Sequence, residues 1–245
     1  MSIFFQALLS AFIISCGSLA GIITLSVDPK KLKDSLLLLV SLSAGALMGG
    51  AFIHLLPEAA ELLPSSALFS TVLLSYVLFF VIEKIFHWRH CHHGHCDVHT
   101  FGYMNLVGDG IHNFIDGLII AATFIADPRL GIISTIAVAL HEIPQEIGDF
   151  GVLMYSGFSR TKALLANFAV ATISLLGVIV GFALDTHVHY FLPYLIPFAA
   201  GGFIYISASD LLPELRKETN LQKSFTSFTV FAVGILIMYA TSFLE

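Results

Sequence analysis

Residues 109 to 149 hold an unusual density of groups able to bind a cation or carry a proton. Asp109, His112, Asn113 and Asp116 are followed by a second run, His141, Glu142, Gln145, Glu146 and Asp149, and neither run has a Lys or Arg within it. In a helix, residues four apart share a face, which pairs His112 with Asp116, His141 with Gln145 and Glu142 with Glu146. Two imidazoles with carboxylate and amide oxygens suit Zn²⁺, Fe²⁺ or Mn²⁺. The histidines argue against Mg²⁺, and the lack of a Cys or Met cluster argues against Cu(I).

The stretch "HEIPQEIGD", His141 to Asp149, comes close to the H-E-x-x-H of zinc hydrolases. There, imidazoles at i and i+4 bind zinc and the Glu between them is the general base. Here the i+4 residue is Gln145, a weak ligand, with Pro144 beside it. An intramembrane zinc metalloprotease is therefore the weakest alternative. A hydrogen-bonded network joining two helices is another, but this many acids without a cation exceed what such a link needs.

These groups lie in a chain built for lipid. Of 245 residues, 57% are hydrophobic and only 11% charged, with a mean hydropathy of +0.89, far from the usual soluble range. The expected class is an all-α integral membrane protein. A bilayer core of roughly 30 Å takes about 20 helical residues per crossing, and the apolar runs divide into eight: Ile3–Leu25, Ser35–Leu56, Ala67–Ile85, Phe101–Ile125, Leu130–Tyr155, Ala163–Leu184, Leu192–Leu212 and Phe225–Phe243. With the amino terminus outside, ten of the eleven Lys and Arg residues fall on the inner side, Arg129 being the exception. Cytoplasmic loops carry that excess, so both termini are expected outside, in a plasma (inner) membrane. "IISC", ending at Cys16, loosely resembles a lipoprotein cleavage site, but no basic residue precedes it. Three cysteines give no disulfide framework. The chain has neither a P-loop for ATP nor a basic or aromatic surface for nucleic acid.

The fourth and fifth spans form a hairpin about "DPR", which sets Asn113 level with Glu142 and Asp109 level with Glu146. At a rise of ~1.5 Å per residue, the first of these levels lies about 20 Å from the turn, near mid-membrane. Pro144 adds a freed carbonyl at Leu140, tolerable where it finds a partner or lines a cavity. An internal repeat frames the pair. "AGALMGGAFIHLLPEA" from Ala44 aligns with "AGGFIYISASDLLPEL" from Ala200 at one constant offset, and the two copies run in opposite directions across the membrane. Inverted repeats are the architecture of alternating-access transporters. The expected arrangement is helices 1–3 and 6–8 around a central helix 4/5 metal site. His54 and Asp210, equivalent positions near opposite faces, are candidates for entrance and exit relays, with Asp109, Glu146 and Asp149 as further pathway or supporting residues. Residues 1–245 read as a single polytopic transport domain with a His-rich cytoplasmic loop at about 87–100. Within it His90, Cys91, His92, His93, His95 and Cys96 could collect metal at the exit.

The motifs "DGIHNFIDGL", "HEIPQEIGDF", "HLLPEA" and "DLLPEL" resemble those of the ZIP family of divalent metal transporters from the second span to the seventh, closest to the subfamily with H-N-F-x-D-G and H-E-x-P-H-E-x-G-D. The resemblance implies metal ligation by His112, Asn113, Asp116, His141, Glu142 and the residue at 145, and eight helices with outward termini. It also implies a mid-membrane site for one or two ions and movement of metal into the cytoplasm. The departure is Gln145, where the subfamily has histidine, which bears on metal preference more than on fold. The expected protein is a carrier of Zn²⁺, with Fe²⁺ and Mn²⁺ as alternatives, without resident cofactor or enzymatic activity. Its expected partners are the metal ion, the lipid bilayer and, in a homodimer, a second copy. A metal-selective channel is the alternative from another class.

Overall fold

A computed structural model describes residues 2–19, 29–90, 99–184 and 187–243. Among the described residues the secondary structure is helical, arranged as eight rods. We label them α1 (Ile3–Gly17), α2 (Pro29–Gly49, Gly50–Leu55 and Leu56–Leu62), α3 (Ser65–His90), α4 (Thr100–Ala126), α5 (Pro128–Tyr155), α6 (Arg160–Ala171 and Ile173–Leu184), α7 (Val188–Tyr205, Ile206–Leu211 and Leu212–Arg216) and α8 (Leu221–Thr241). Six of these, α2, α3, α4, α6, α7 and α8, are long and apolar enough to cross a membrane. The described part of α1 is shorter, at 15 residues, and α5 is 28 residues long but carries the second acidic run.

Local chemistry sets the boundaries that matter. Asp127 stands extended between α4 and α5 and caps α5, its carboxylate accepting from the Arg129 N–H at 2.7 Å, with Pro128 in the first turn. That placement suits proline, whose missing N–H is lost there anyway, and makes the α4–α5 hairpin tight. At the other end, Gly157 takes φ 110°, and the Phe158 N–H reaches back to the Leu153 carbonyl, a left-handed stop that favours glycine.

Two connections differ from the sequence expectation. The expected second and seventh spans end at Leu56 and Leu212, yet helix continues through Pro57 to Leu62 and through Pro213 to Arg216. The reason is a π-helical turn before each proline, Gly50–Leu55 and Ile206–Leu211. In each, the last N–H before the proline bonds five residues back, Leu56 to Ala51 and Leu212 to Ser207. A proline inside an α-helix clashes with the carbonyl four residues back, and the wider turn supplies room. Both π turns fall at matching positions of the sequence repeat.

α4 is the hub, packed against α1, α3, α5, α6 and α7, while α2 packs against α5, α7 and α8. Glycine allows the closest approach: a Cβ on Gly117 of α4 would lie 2.0 Å from the Ser174 carbonyl oxygen of α6, and one on Gly177 2.1 Å from that of Phe114. Phe79, Ile115, Phe203 and Ile206 are buried in the largest core cluster, whereas α3 turns Phe69, Leu73, Leu74 and Val77 outward, as a lipid-facing helix would.

Candidate metal centre

The hairpin brings the two runs together as the equal-depth argument expects. His112, Asn113, Asp116, Glu142, Gln145, Glu146, Asp109 and Asp149 are all buried, none more than 3% exposed. Donor atoms of His112, Asp116, His141 and Glu142 lie within 4.8 Å of one another. The His112 Nε2 is 3.2 Å from a Glu142 oxygen and 3.5 Å from Asp116 Oδ2, and His141 Nε2 is 3.3 Å from the same Asp116 oxygen. Donors at the ~2.0–2.1 Å bond lengths of zinc stand about 3.4 Å apart in a tetrahedron. The three imidazole–carboxylate distances are close to that separation, within a set that spans up to 4.8 Å.

A second set, Asp109, Glu142 and Glu146, also converges within 4.8 Å and offers only oxygen. Glu142 belongs to both. Asn113, expected as a ligand, donates its amide to Asp109 Oδ1 at 2.8 Å and to the Asp109 carbonyl at 3.2 Å, so it orients that carboxylate. Gln145 is 1% exposed, with neither side-chain amide atom hydrogen-bonded within the protein. Asp149 belongs to neither set and accepts from the Ser43 hydroxyl of α2 at 3.0 Å.

One carboxylate oxygen each on Asp109, Glu146 and Asp149 has no hydrogen-bond partner in the protein. Helix-joining networks are saturated, because an orphaned buried polar atom costs about 1–3 kcal/mol. Several orphans converging without any Lys or Arg suit a site that receives a cation from outside.

A cavity of about 580 Å³ reaches the first set, lined by His112, Asp116, His141 and Gln145 at one end and by Glu58 and Glu61 of α2 towards the other. His54, expected near a membrane face, instead stands against the centre, its ring 5.9 Å from that of His141. The π turn places it where its Nε2 meets the Met238 carbonyl at 2.8 Å. Asp210, on the other π turn, is 7% exposed and neighbours Glu83 and Glu214. Cys91, His92, His93, His95 and Cys96 fall outside the described residues, as does the side chain of His90.

Three neighbours of the site are not predicted by the sequence. Asn167 of α6 donates to both the Glu146 carboxylate and its carbonyl; an Asn in the apolar run "ALLANFAVAT" is its signal. Ser43 has none. Phe203 packs its ring 4.7 Å from His112, inside the repeat but indistinguishable there from ordinary core.

The family profile described as "ZIP Zinc transporter" matches residues 90–242. The chain is 34% identical over 217 residues to "Zinc transporter ZIP13" of Pongo abelii, covering 82% of this chain and 65% of that protein. It is 30% identical over 309 residues to "Zinc transporter ZIP13 homolog" of Drosophila melanogaster, covering 95% of this chain and 87% of that one. To "Zinc transporter zipt-7.2" of Caenorhabditis elegans it is 38% identical over 147 residues, 58% of this chain and 32% of that protein. With this match over more than half its length, and with its membrane-type helices, the chain belongs to the ZIP family, whose members are zinc transporters and not enzymes.

Proposed function

We propose that this protein is a carrier that moves Zn²⁺ into the cytoplasm, with Fe²⁺ and Mn²⁺ as poorer substrates, through a mid-membrane site on α4 and α5. The observation that carries the reading is the buried His112, Asp116, His141 and Glu142 set at the end of a cavity, with donor spacings suited to a first-row divalent ion. Gln145, Glu146 and Asp109 complete the site, Asn113 acting through Asp109.

The eight rods are eight crossings, and the two halves are related as an inverted repeat. This is supported by equivalent pairings: α2 rests on α8 as α7 rests on α3, and α2 meets α5 as α7 meets α4. The matching π turns support it further. The bias of Lys and Arg puts the termini and the Glu58–Glu61 end of the cavity outside, so metal enters there and, in a plasma membrane, leaves to the cytoplasm.

Uptake of radioactive zinc into proteoliposomes, with and without a pH gradient, tests this. Saturable uptake abolished by His112→Ala in a folded, inserted protein is expected. Fast, non-saturating flux would favour the channel, and normal uptake by the variant would end the site assignment.

A further inference from the structure

Asn167 lies in the first segment of α6 with none of its surface exposed. A fully buried amide in an apolar helix is costly unless it is hydrogen-bonded. Its Oδ1 finds no partner in the protein, so the gain comes through Nδ2 alone, which donates to Oε2 of the Glu146 carboxylate and, at 3.2 Å, to the Glu146 carbonyl. In the same oxygen-only set, Asn113 treats Asp109 alike, its Nδ2 donating to Oδ1 at 2.8 Å and to the Asp109 carbonyl at 3.2 Å. Each clamp ties a carboxylate to its own backbone through one amide and occupies one of its two oxygens. The oxygens left over, Glu146 Oε1 and Asp109 Oδ2, are the two without a partner, on residues whose carboxylates converge with that of Glu142.

We propose that Asn167 is a positioning residue for the oxygen-only donor set, holding Glu146 so that one carboxylate oxygen is left for the cation, and that it thereby sets how well Mn²⁺ competes with Zn²⁺. This rests on the transport reading and deepens it. A glutamate side chain has three rotatable bonds, and beside Asp109 and Glu142 like-charge repulsion drives it away from the set. The two hydrogen bonds from Asn167 hold it in place before an ion arrives, as the outer partners of ligating carboxylates do. Asn113 lies one turn from Asp109 on the same helix, whereas Asn167 reaches Glu146 from a different one. The position of α6 against α5 therefore enters the geometry of the set. Manganese prefers oxygen-rich octahedra, while zinc is well served by imidazoles with few carboxylates, as in the set of His112 and His141. Freeing Glu146 handicaps Mn²⁺ more than Zn²⁺.

The test measures metal binding by the purified protein in detergent, with Mn²⁺ followed by loss of its free-ion EPR signal and Co²⁺, a zinc-like probe, by its visible absorption when imidazole-bound. Asn167→Leu keeps the bulk of the side chain and removes both hydrogen bonds. Mn²⁺ affinity should fall about 10–100-fold, while Co²⁺ affinity stays within about twofold and its spectrum is unchanged. In a Glu146→Ala background the same substitution should alter Mn²⁺ affinity by less than about twofold further, because its effect runs through Glu146. Should Asn167→Leu fail to fold, Asn167→Ala carries the same comparison. Unchanged Mn²⁺ affinity, an equal loss of Co²⁺ and Mn²⁺, or a full further loss on top of Glu146→Ala would each overturn the positioning role. Co²⁺ that acquires no imidazole-type spectrum with the unaltered protein would instead sink the metal-centre reading on which that role depends.

Discussion

Glu142→Gln should push zinc binding and protein stability in opposite directions. Glu142 is the residue common to both donor sets, and within its set it stands no more than 4.8 Å from the oxygens of Asp109 and Glu146. At the widest such spacing and an effective dielectric constant of about 20, each ionised pair repels by about 3.5 kcal/mol, and more if closer. Glutamine keeps the shape and removes the charge, so the two pairs together relieve at least about 7 kcal/mol when all three groups are ionised. The variant gives up the charge pairing of Glu142 with His112 Nε2, 3.2 Å away, which offsets only part of that relief. The metal-free variant should therefore melt at or above the temperature of the unaltered protein. Zinc affinity should move the other way. Altering a residue that merely supports a ligand costs about 10–100-fold, so losing a direct carboxylate shared by two sets should cost at least about 100-fold, or ~2.7 kcal/mol. Thermal unfolding in detergent with chelator and with a zinc series reads both quantities. Zinc should raise the midpoint of the unaltered protein by mass action and leave that of the variant nearly unmoved. A metal-free variant that melts several degrees lower, or one that zinc stabilises normally, would refute the reasoning.

Three other outcomes follow from the same geometry. Gln145→His adds a third imidazole beside those of His112 and His141 in the donor set and should raise the zinc-to-manganese preference by about tenfold, or ~1.4 kcal/mol; an unchanged ratio in a competition assay would remove residue 145 from the site. Deleting Cys91 to Cys96 should leave uptake substantially active and alter its apparent affinity or regulation, since the converging donors lie on α4 and α5; complete loss from a well-expressed deletion would place the loop on the obligatory path. Gly117→Val should lower stability by about 1–3 kcal/mol or more, because its Cβ would meet the Ser174 carbonyl at 2.0 Å; thermal unfolding equal to that of the unaltered protein would show that the α4–α6 approach is not close.

The candidate metal centre is legible from the chain because it is built from short-range regularities. Helical spacing joins His112 to Asp116, and a hairpin about "DPR" joins them to His141 and Glu142 by counting residues; the donors do converge. What lies beyond reach depends on contacts between helices far apart in sequence. Asn167 meets Glu146 and Ser43 meets Asp149 across interfaces that no local period encodes. The prolines at 57 and 213 mislead for a different reason. Proline normally ends a helix, but the preceding turn can widen to accept it, and no residue type in "GAFIHL" or "ISASDL" announces that widening. For the same reason sequence position alone puts His54 near a membrane face, when its turn carries it in against His141.

Each π turn is, in effect, a single-residue insertion that the helix has absorbed without breaking. At 3.6 residues per turn, one residue corresponds to about 100° of rotation. The extra residue therefore sets the azimuth of everything beyond it, including Glu58 and Glu61 at one end of α2 and Glu214 at the end of α7. Removing one residue from either turn would let an ordinary α-helix re-form at little cost in backbone hydrogen bonding, yet it would swing those carboxylates a quarter-turn around the rod and drive the proline ring back into the carbonyl four residues before it. Insertions and deletions at these two places would thus act as rotations of function on an unchanged fold, while the same edit within α4 or α5 would scramble the metal centre outright.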